Sequence, residues 1–258
     1  MFSERAFFSF VDLADPGLHR EYNEWHIFDH RPENLLLPGV AWGDRWARPA
    51  EYTQLGASCP ELSGTDYMAM YWFRSPYEES LAEWRKLGED SIQWGRGPLL
   101  PGVRRPLTAF FTPVKGYVAQ RARVSADALP FRPNRGLHVT VSRFAEPHGA
   151  RTHDHYGWYD RVRLPALVDS PGVAGAWTFA LHSLQKHPAP PLDGTAEYLP
   201  GSIRIRLLYL DADPAEVTRE LAAREKEWDA AGFGSPCPEV ETTLLAGPVR
   251  TIDPWENR

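Results

Sequence analysis

The sequence predicts an α+β protein built from two fused ferredoxin-like β-α-β-β-α-β repeats. Three observations predict it. Trp25, Pro32 and Pro38-Gly39-Val40-Ala41 return 133 positions later as Trp158, Pro165 and Pro171-Gly172-Val173-Ala174, and self-similarity at that scale marks a duplication. A second pair follows: Tyr67 to Phe73 runs into Ser75-Pro76-Tyr77-Glu78, and Ile203 to Leu210 into Asp213-Pro214-Ala215-Glu216. Both read as a strand, an N-cap, Pro at the first helical position and Glu at the third. The segments between alternate in type, aromatic and β-branched runs changing places with amphipathic stretches.

In order, Arg5 to Leu13 is an aromatic-rich strand. Asp15-Pro16 opens a helix carrying Leu18, Tyr22, Trp25 and Phe28 at helical spacing. Val40 to Ala47 and Asp66 to Arg74 are strands two and three. Pro76 to about Trp94 is a helix with Tyr77, Leu81, Trp84 and Leu87 on one face, and Arg105 to Thr112 closes the first repeat. The second repeat runs Gly136 to Phe144, a helix from Thr152 to Val168, strands Val173 to His182 and Ser202 to Leu210, a helix from Pro214 to Ala231, and Glu239 to Ala246. The divisions are 1–113, a Pro-containing linker 114–134, and 135–258. Each antiparallel sheet has helices on one face and needs a cover on the other. The obvious cover is the other repeat, which gives an α/β barrel with a cavity between the two sheets.

Composition narrows the function. The 258 residues hold 34 acids against 28 bases, with no basic run long enough to track phosphates, so nucleic acid is not an expected partner. The opening MFSERAFFSFVDLADP reads as neither a signal peptide nor a membrane span. Cys59 and Cys237 are too few for a disulfide framework and fit a reducing cytoplasm. The expected partner is a small molecule, and the expected assembly a pseudo-dimeric monomer or a homodimer.

The stretch Glu21-Tyr-Asn-Glu-Trp-His-Ile-Phe-Asp-His-Arg-Pro-Glu-Asn-Leu-Leu-Leu-Pro-Gly-Val40 resembles the first-helix signature of the EthD-like branch of the dimeric α/β-barrel superfamily. In that signature an acidic, Trp-containing helix runs into an acid-His-x-Pro step before Pro-Gly. The resemblance covers both halves, but only the first carries the full motif: His26, Asp29 and His30 become Tyr159, Val162 and Arg163. It implies a fold shared by polyketide cyclases, isomerases, cofactor-free monooxygenases and haem enzymes, and therefore no single activity.

His30 is the leading catalytic candidate. Pro32 disfavours helix at Arg31, which should break the helix there, and Asp29 and Glu33 should orient the imidazole and raise its pKa toward general acid–base work. The competing reading is a helix-break cap. His26 and His30 share a face at a metal-ligand spacing, but the Glu of a zinc protease and a third ligand are missing, so no metal is expected; the solvated histidines His148, His153 and His155 offer at most adventitious affinity. Strand alternation assigns Ile203, Ile205, Leu137, Val139 and Val141 to the helix-covered face. That places His138, Thr140, Arg204 and Arg206 in the inter-sheet cavity, where His138 is the alternative catalyst and the arginines clamp an anion; pairing of these arginines with Glu239 or Glu241 is equally compatible. Trp42, Trp46 and Trp72, with Phe8, Phe10, Met68 and Met70, supply an apolar wall, or simply core.

The expected function is a cofactor-independent lyase or isomerase of cyclase type, acting on an aromatic or polyketide-like molecule by proton transfer. A cofactor-free monooxygenase is the alternative, followed by a haem enzyme (axial His30, His138 or His182) and a non-catalytic binding module. The expected protein is colourless, since the Gly-x-x-Asp-Gly motif of dye-decolourising peroxidases is absent.

Overall fold

A computed structural model describes residues 3–96, 102–185 and 198–252. The expected runs form strands and helices close to the expected bounds. The first half comprises β1 (Arg5–Leu13), α1 (His19–Trp25), a π-helical turn (His26–His30), α2 (Arg31–Leu36), β2 (Val40–Ala47), a short β3 (Ala57–Ser58), β4 (Tyr67–Phe73), α3 (Tyr77–Gln93) and β5 (Val103–Val118). The second comprises β6 (Gly136–Phe144), α4 (Ala150–Trp158), a π-helical turn (Tyr159–Arg163), α5 (Leu164–Asp169), β7 (Val173–Leu184), β8 (Ile203–Leu210), α6 (Pro214–Ala230) and β9 (Glu241–Thr251). Strand β5 continues through Val118, into the stretch read as linker. Residues 186–197 and 253–258 of the expected second repeat lie outside the described residues.

The fold is mixed α+β around a nine-stranded antiparallel sheet, in the order β2-β4-β1-β5-β7-β8-β6-β9-β3. The first four strands in that order and the next four follow the same pattern of strand roles, two-three-one-four. Strand β5 joins β7, and β9 pairs back onto β2 through Trp46 with Thr251 and Ala47 with Arg250. Among the described residues no helix is long and apolar enough to cross a membrane.

The region between the halves is core, which corrects the expected cavity. Phe8, Phe10, Met68, Met70 and Trp72 pack there with Val139, Val141, Trp177, Phe179, Ile203 and Ile205 in one buried cluster. Trp72 meets Trp177 at 5.3 Å and Phe179 at 5.1 Å between ring centroids. The facing assignment was therefore inverted. The isoleucines of β8 point at the other half and the arginines at the helices, because large apolar side chains from both halves fill the shared interior, leaving mixed residues for the helix-covered faces.

Neither Pro32 nor Pro165 breaks its helix. Each sits at the second residue of α2 or α5, and the π-helical turn just ahead rephases the hydrogen bonds around the missing donor. The predicted caps divide. Asp213 accepts from Ala215 and Glu216 and caps α6 as expected. Ser75 does not cap α3, which has the extended Pro76 at its N-cap and no side-chain cap.

Candidate functional site

The sheet's outer face in the first half, α1-α2 and α3 enclose a cleft of about 540 Å³. Its strand residues follow from alternation: Phe8 and Phe10 go to the interior, so Phe7 and Ser9 face the helices, as do Ala69 and Tyr71 opposite them on β4. Thr108, paired with Ser9, extends that face onto β5. Arg105 lies three residues from Thr108 and would face the interior in a regular strand. The register shift between Phe10 and Asp12 re-aims it, as a bulge does, and Arg105 lines the cleft.

From the helices come Trp25, His26, His30 and Asn34 on one side and Trp84 and Ser91 on the other. The π-helical turn holds the two histidines 5.4 Å apart, edge to face, with His30 stacked on Trp25 at 4.5 Å. Gly43 matters for Tyr71: a Cβ there would fall 2.3 Å from the Tyr71 ring, so only glycine lets that ring lie over β2.

Four polar atoms of this cleft, Ser9 Oγ, His26 Nδ1, Tyr71 Oη and Thr108 Oγ1, are buried with no hydrogen-bond partner among the described residues. Each costs about 1–3 kcal/mol if left unsatisfied, so their convergence on one cleft marks a place built for something polar. The imidazoles are neutral. Burial first, then the Arg105 guanidinium, pushes His30 down to about 4, against a weaker opposing pull from Asp29. Burial and Arg45 hold His26 well below its ordinary value. The expected raised pKa of His30 is thus corrected: desolvation exceeds the effect of the nearby carboxylate. Asn34 Nδ2 lies 3.3 Å from His30 Nδ1. With that amide donating, the neutral ring carries its proton on Nε2.

Asp29 does not orient His30. It pairs with Arg96, which also holds Glu33 at 2.7 Å, while Glu33 accepts from Ser91 at 2.9 Å. Glu33 Oε1, at 4.0 Å from His30 Nδ1, is the nearer carboxylate.

The corresponding cleft of the second half, about 510 Å³, holds His138, Thr140 and Arg206, while Arg204 lines the adjoining hollow of about 310 Å³ with Tyr156 and His153. These residues come together as a group, but behind the second sheet rather than between the halves. Arg206 is spoken for. It pairs with Glu241 and lies 3.8 Å over the Tyr159 ring. Burial alone would raise the Glu241 carboxyl, yet Arg206 and hydrogen bonds from His155 and Ser142 hold it well below the usual carboxylate range. His138 Nδ1 meets Thr218 Oγ1 of α6 at 3.0 Å. Burial lowers its pKa to about 4.

Strand pairing gives the physical difference between the two clefts. Ser9 faces Ala69 in the first half and Thr140 faces Arg206 in the second. A methyl leaves space where the second half places a paired guanidinium.

Trp42, Trp46 and Trp72 are not cleft wall. Trp72 and Trp46 are 1 % and 2 % exposed, and the Trp46 indole donates to Asn134 at 3.1 Å. Trp42 packs on Phe131 and under Arg31. Sequence reasoning found His26 and His30 but missed Ser9, Tyr71, Arg105 and Thr108. Ser9, Tyr71 and Thr108 were hidden because the site was expected between the sheets and they face the helices, and the bulge hid Arg105. Among the described residues no three His, Cys, Asp or Glu side chains converge on a metal-sized point. His182 is exposed on β7.

No family model and no curated protein matches this sequence. Solved structures do match its fold. A candidate monooxygenase from Fusobacterium nucleatum subsp. nucleatum superposes with a TM-score of 0.53 at 7 % identity, covering 98 % of this chain and 94 % of that one. A candidate monooxygenase from Lactobacillus acidophilus gives 0.48 at 8 %, with 97 % and 100 % covered. An anthrone oxidase-like protein gives 0.48 at 12 %, with 98 % and 94 % covered. The likeness defines the fold class at full chain length.

Proposed function

We propose that the chain is a tandem-duplicated α/β-barrel enzyme whose working site is the first-half cleft, acting without a cofactor on a small aromatic or polyketide-like molecule by proton transfer. The observation that carries this reading is the convergence of four buried, unpartnered polar atoms and two neutral imidazoles in one aromatic-walled cleft, the usual form of a small-molecule site. Trp25, Trp84 and Phe7 offer faces for a planar ligand. His26 Nδ1, with no donor assigned to it, takes a proton from an acidic carbon or hydroxyl. His30, presenting Nε2–H, donates to the oxygen on which the charge gathers. A neutral donor in a dry site favours the enolate over its protonated parent without itself being neutralised. The pairing of β9 with β2 and the common strand order of the two halves support the duplicated barrel, with divisions near 1–113, 114–134 and 135–258.

A second reading is favoured by the fold neighbour described as a candidate monooxygenase. There the same substrate anion reacts with dioxygen: a CH₂ group becomes a carbonyl, and the second oxygen atom leaves as water with the two hydrogens. Both readings share the anion and part at its fate.

The test is a panel of anthrones, naphthols and β-keto aromatics incubated in D₂O. Deuterium entry at the acidic carbon faster than in buffer, lost in His30→Ala, is the expected result. Oxygen uptake in step with substrate loss selects the monooxygenase reading. Binding without exchange or turnover for every compound contradicts both and leaves a carrier.

A further inference from the structure

We propose that Arg105 is an anion anchor and that the cleft takes a planar molecule carrying one ionised oxygen, a ring carboxylate or an acidic phenolate. The proposal rests on the reading of this cleft as the ligand site and narrows what enters it. Arg105 lines the cleft, and among the described residues it has no ion-pair partner. The nearer carboxylates are engaged elsewhere: Glu33 by Arg96 and Ser91, Asp29 by Arg96. Arg85 and Glu89, which edge the cleft from α3, are exposed.

A guanidinium half-withdrawn from water beside aromatic walls without a counter-ion is costly. A bound anion supplies that counter-ion through charge-assisted hydrogen bonds. The rest of the cleft agrees. Both imidazoles are held neutral, so the arginine is the fixed cation facing the ligand, and the hydroxyls of Ser9, Tyr71 and Thr108 are unspent donors for further ligand oxygens. The second half reaches the opposite arrangement. Its Arg206 is already neutralised by Glu241, so that cleft has no unmet demand for an anion there.

Three probes of similar size test the proposal by titration calorimetry on the whole protein: 2-naphthoate, 2-naphthamide and 2,4-dinitro-1-naphthol, an acidic naphthol ionised at neutral pH. The proposal expects at least one anion to bind about tenfold or more tightly than the amide, and the tighter anion distinguishes carboxylate from phenolate. Arg105→Met should abolish that preference while changing amide affinity less than about threefold, well under one charge-assisted bond. Ala69→Arg, which copies the second half's residue, should stop all three. Equal binding of anion and amide, or a preference surviving Arg105→Met, overturns the anchor and leaves the cleft as the ligand site. Absence of binding by every probe, or binding untouched by Ala69→Arg, overturns the anchor and the site together.

Discussion

His30 is a neutral imidazole with a depressed pKa in a place where sequence spacing promised a raised one. Its depressed pKa has two readable consequences. The acid limb of kcat/KM should fall well below the 6.5 of an exposed histidine, because burial keeps both imidazoles, the base His26 included, neutral in the free enzyme. A pH–rate profile checks this, and the limb, which belongs to the base His26, should persist in His30→Asn at a lower rate. That variant and His30→Ala should lose roughly a hundredfold in turnover, the size of losing one donor to a developing oxyanion. A His30 that merely shaped the helix would reverse the pattern, losing stability and keeping activity. The second consequence is linkage. His30 and His138 both titrate lower in the fold than in the unfolded chain. The unfolded state therefore binds more protons between the two values. Stability is complete above about pH 6.5 and drops as pH falls toward 4, by on the order of 3 kcal/mol per group. Urea denaturation at pH 7 and pH 5 checks the sign, and His138→Gln should flatten part of the slope.

At the level of elements, the sequence disclosed the main strands and helices but not the far ends of β5 and β9, the short β3 or the π-helical turns. Pro32 and Pro165 signal that something must give. The residues do not say whether the helix breaks or rephases, because that choice belongs to packing of α1-α2 and α4-α5 on the sheet. The faces of β6 and β8 were legible as alternation and were assigned backwards, whereas Phe8 and Phe10 of β1 were expected on the side facing the other half, where they lie. Alternation gives two faces and no label, and when both are covered the bulkier apolar set goes to the larger interior. Arg105 was hidden for a different reason: a bulge in its own strand, where three steps of β5 oppose two of β1, turned it outward, and no count that assumes a regular strand shows that. Caps give a clean contrast. Asp213→Ala should cost about 1 kcal/mol in urea denaturation, since its carboxylate satisfies two helix-start amides. Ser75→Ala should cost only a few tenths, because α3 has no side-chain cap to lose.

Across the whole molecule, the two halves share one sheet and one interior. Hydrogen bonds run from β5 to β7 and from β9 to β2, and the largest buried rings of each half touch those of the other. The protein should therefore unfold in one transition by fluorescence and circular dichroism alike. Trp72→Ala should lower stability by about 3–5 kcal/mol, as cavity formation in a core does, without altering ligand preference, because Trp72 lies on the far side of the sheet from the cleft.

The two halves divide the labour: one cleft carries Ala69 and polar atoms unpartnered among the described residues, where its counterpart of similar volume holds Arg206 already engaged by Glu241 and Tyr159. A crystal structure of the protein soaked with 2-naphthoate tests it most directly. The account predicts the ring between Trp25 and Trp84 with its carboxylate on Arg105. A naphthoate seated instead on Arg204 or Arg206 in the second half, with the first cleft empty, would contradict it.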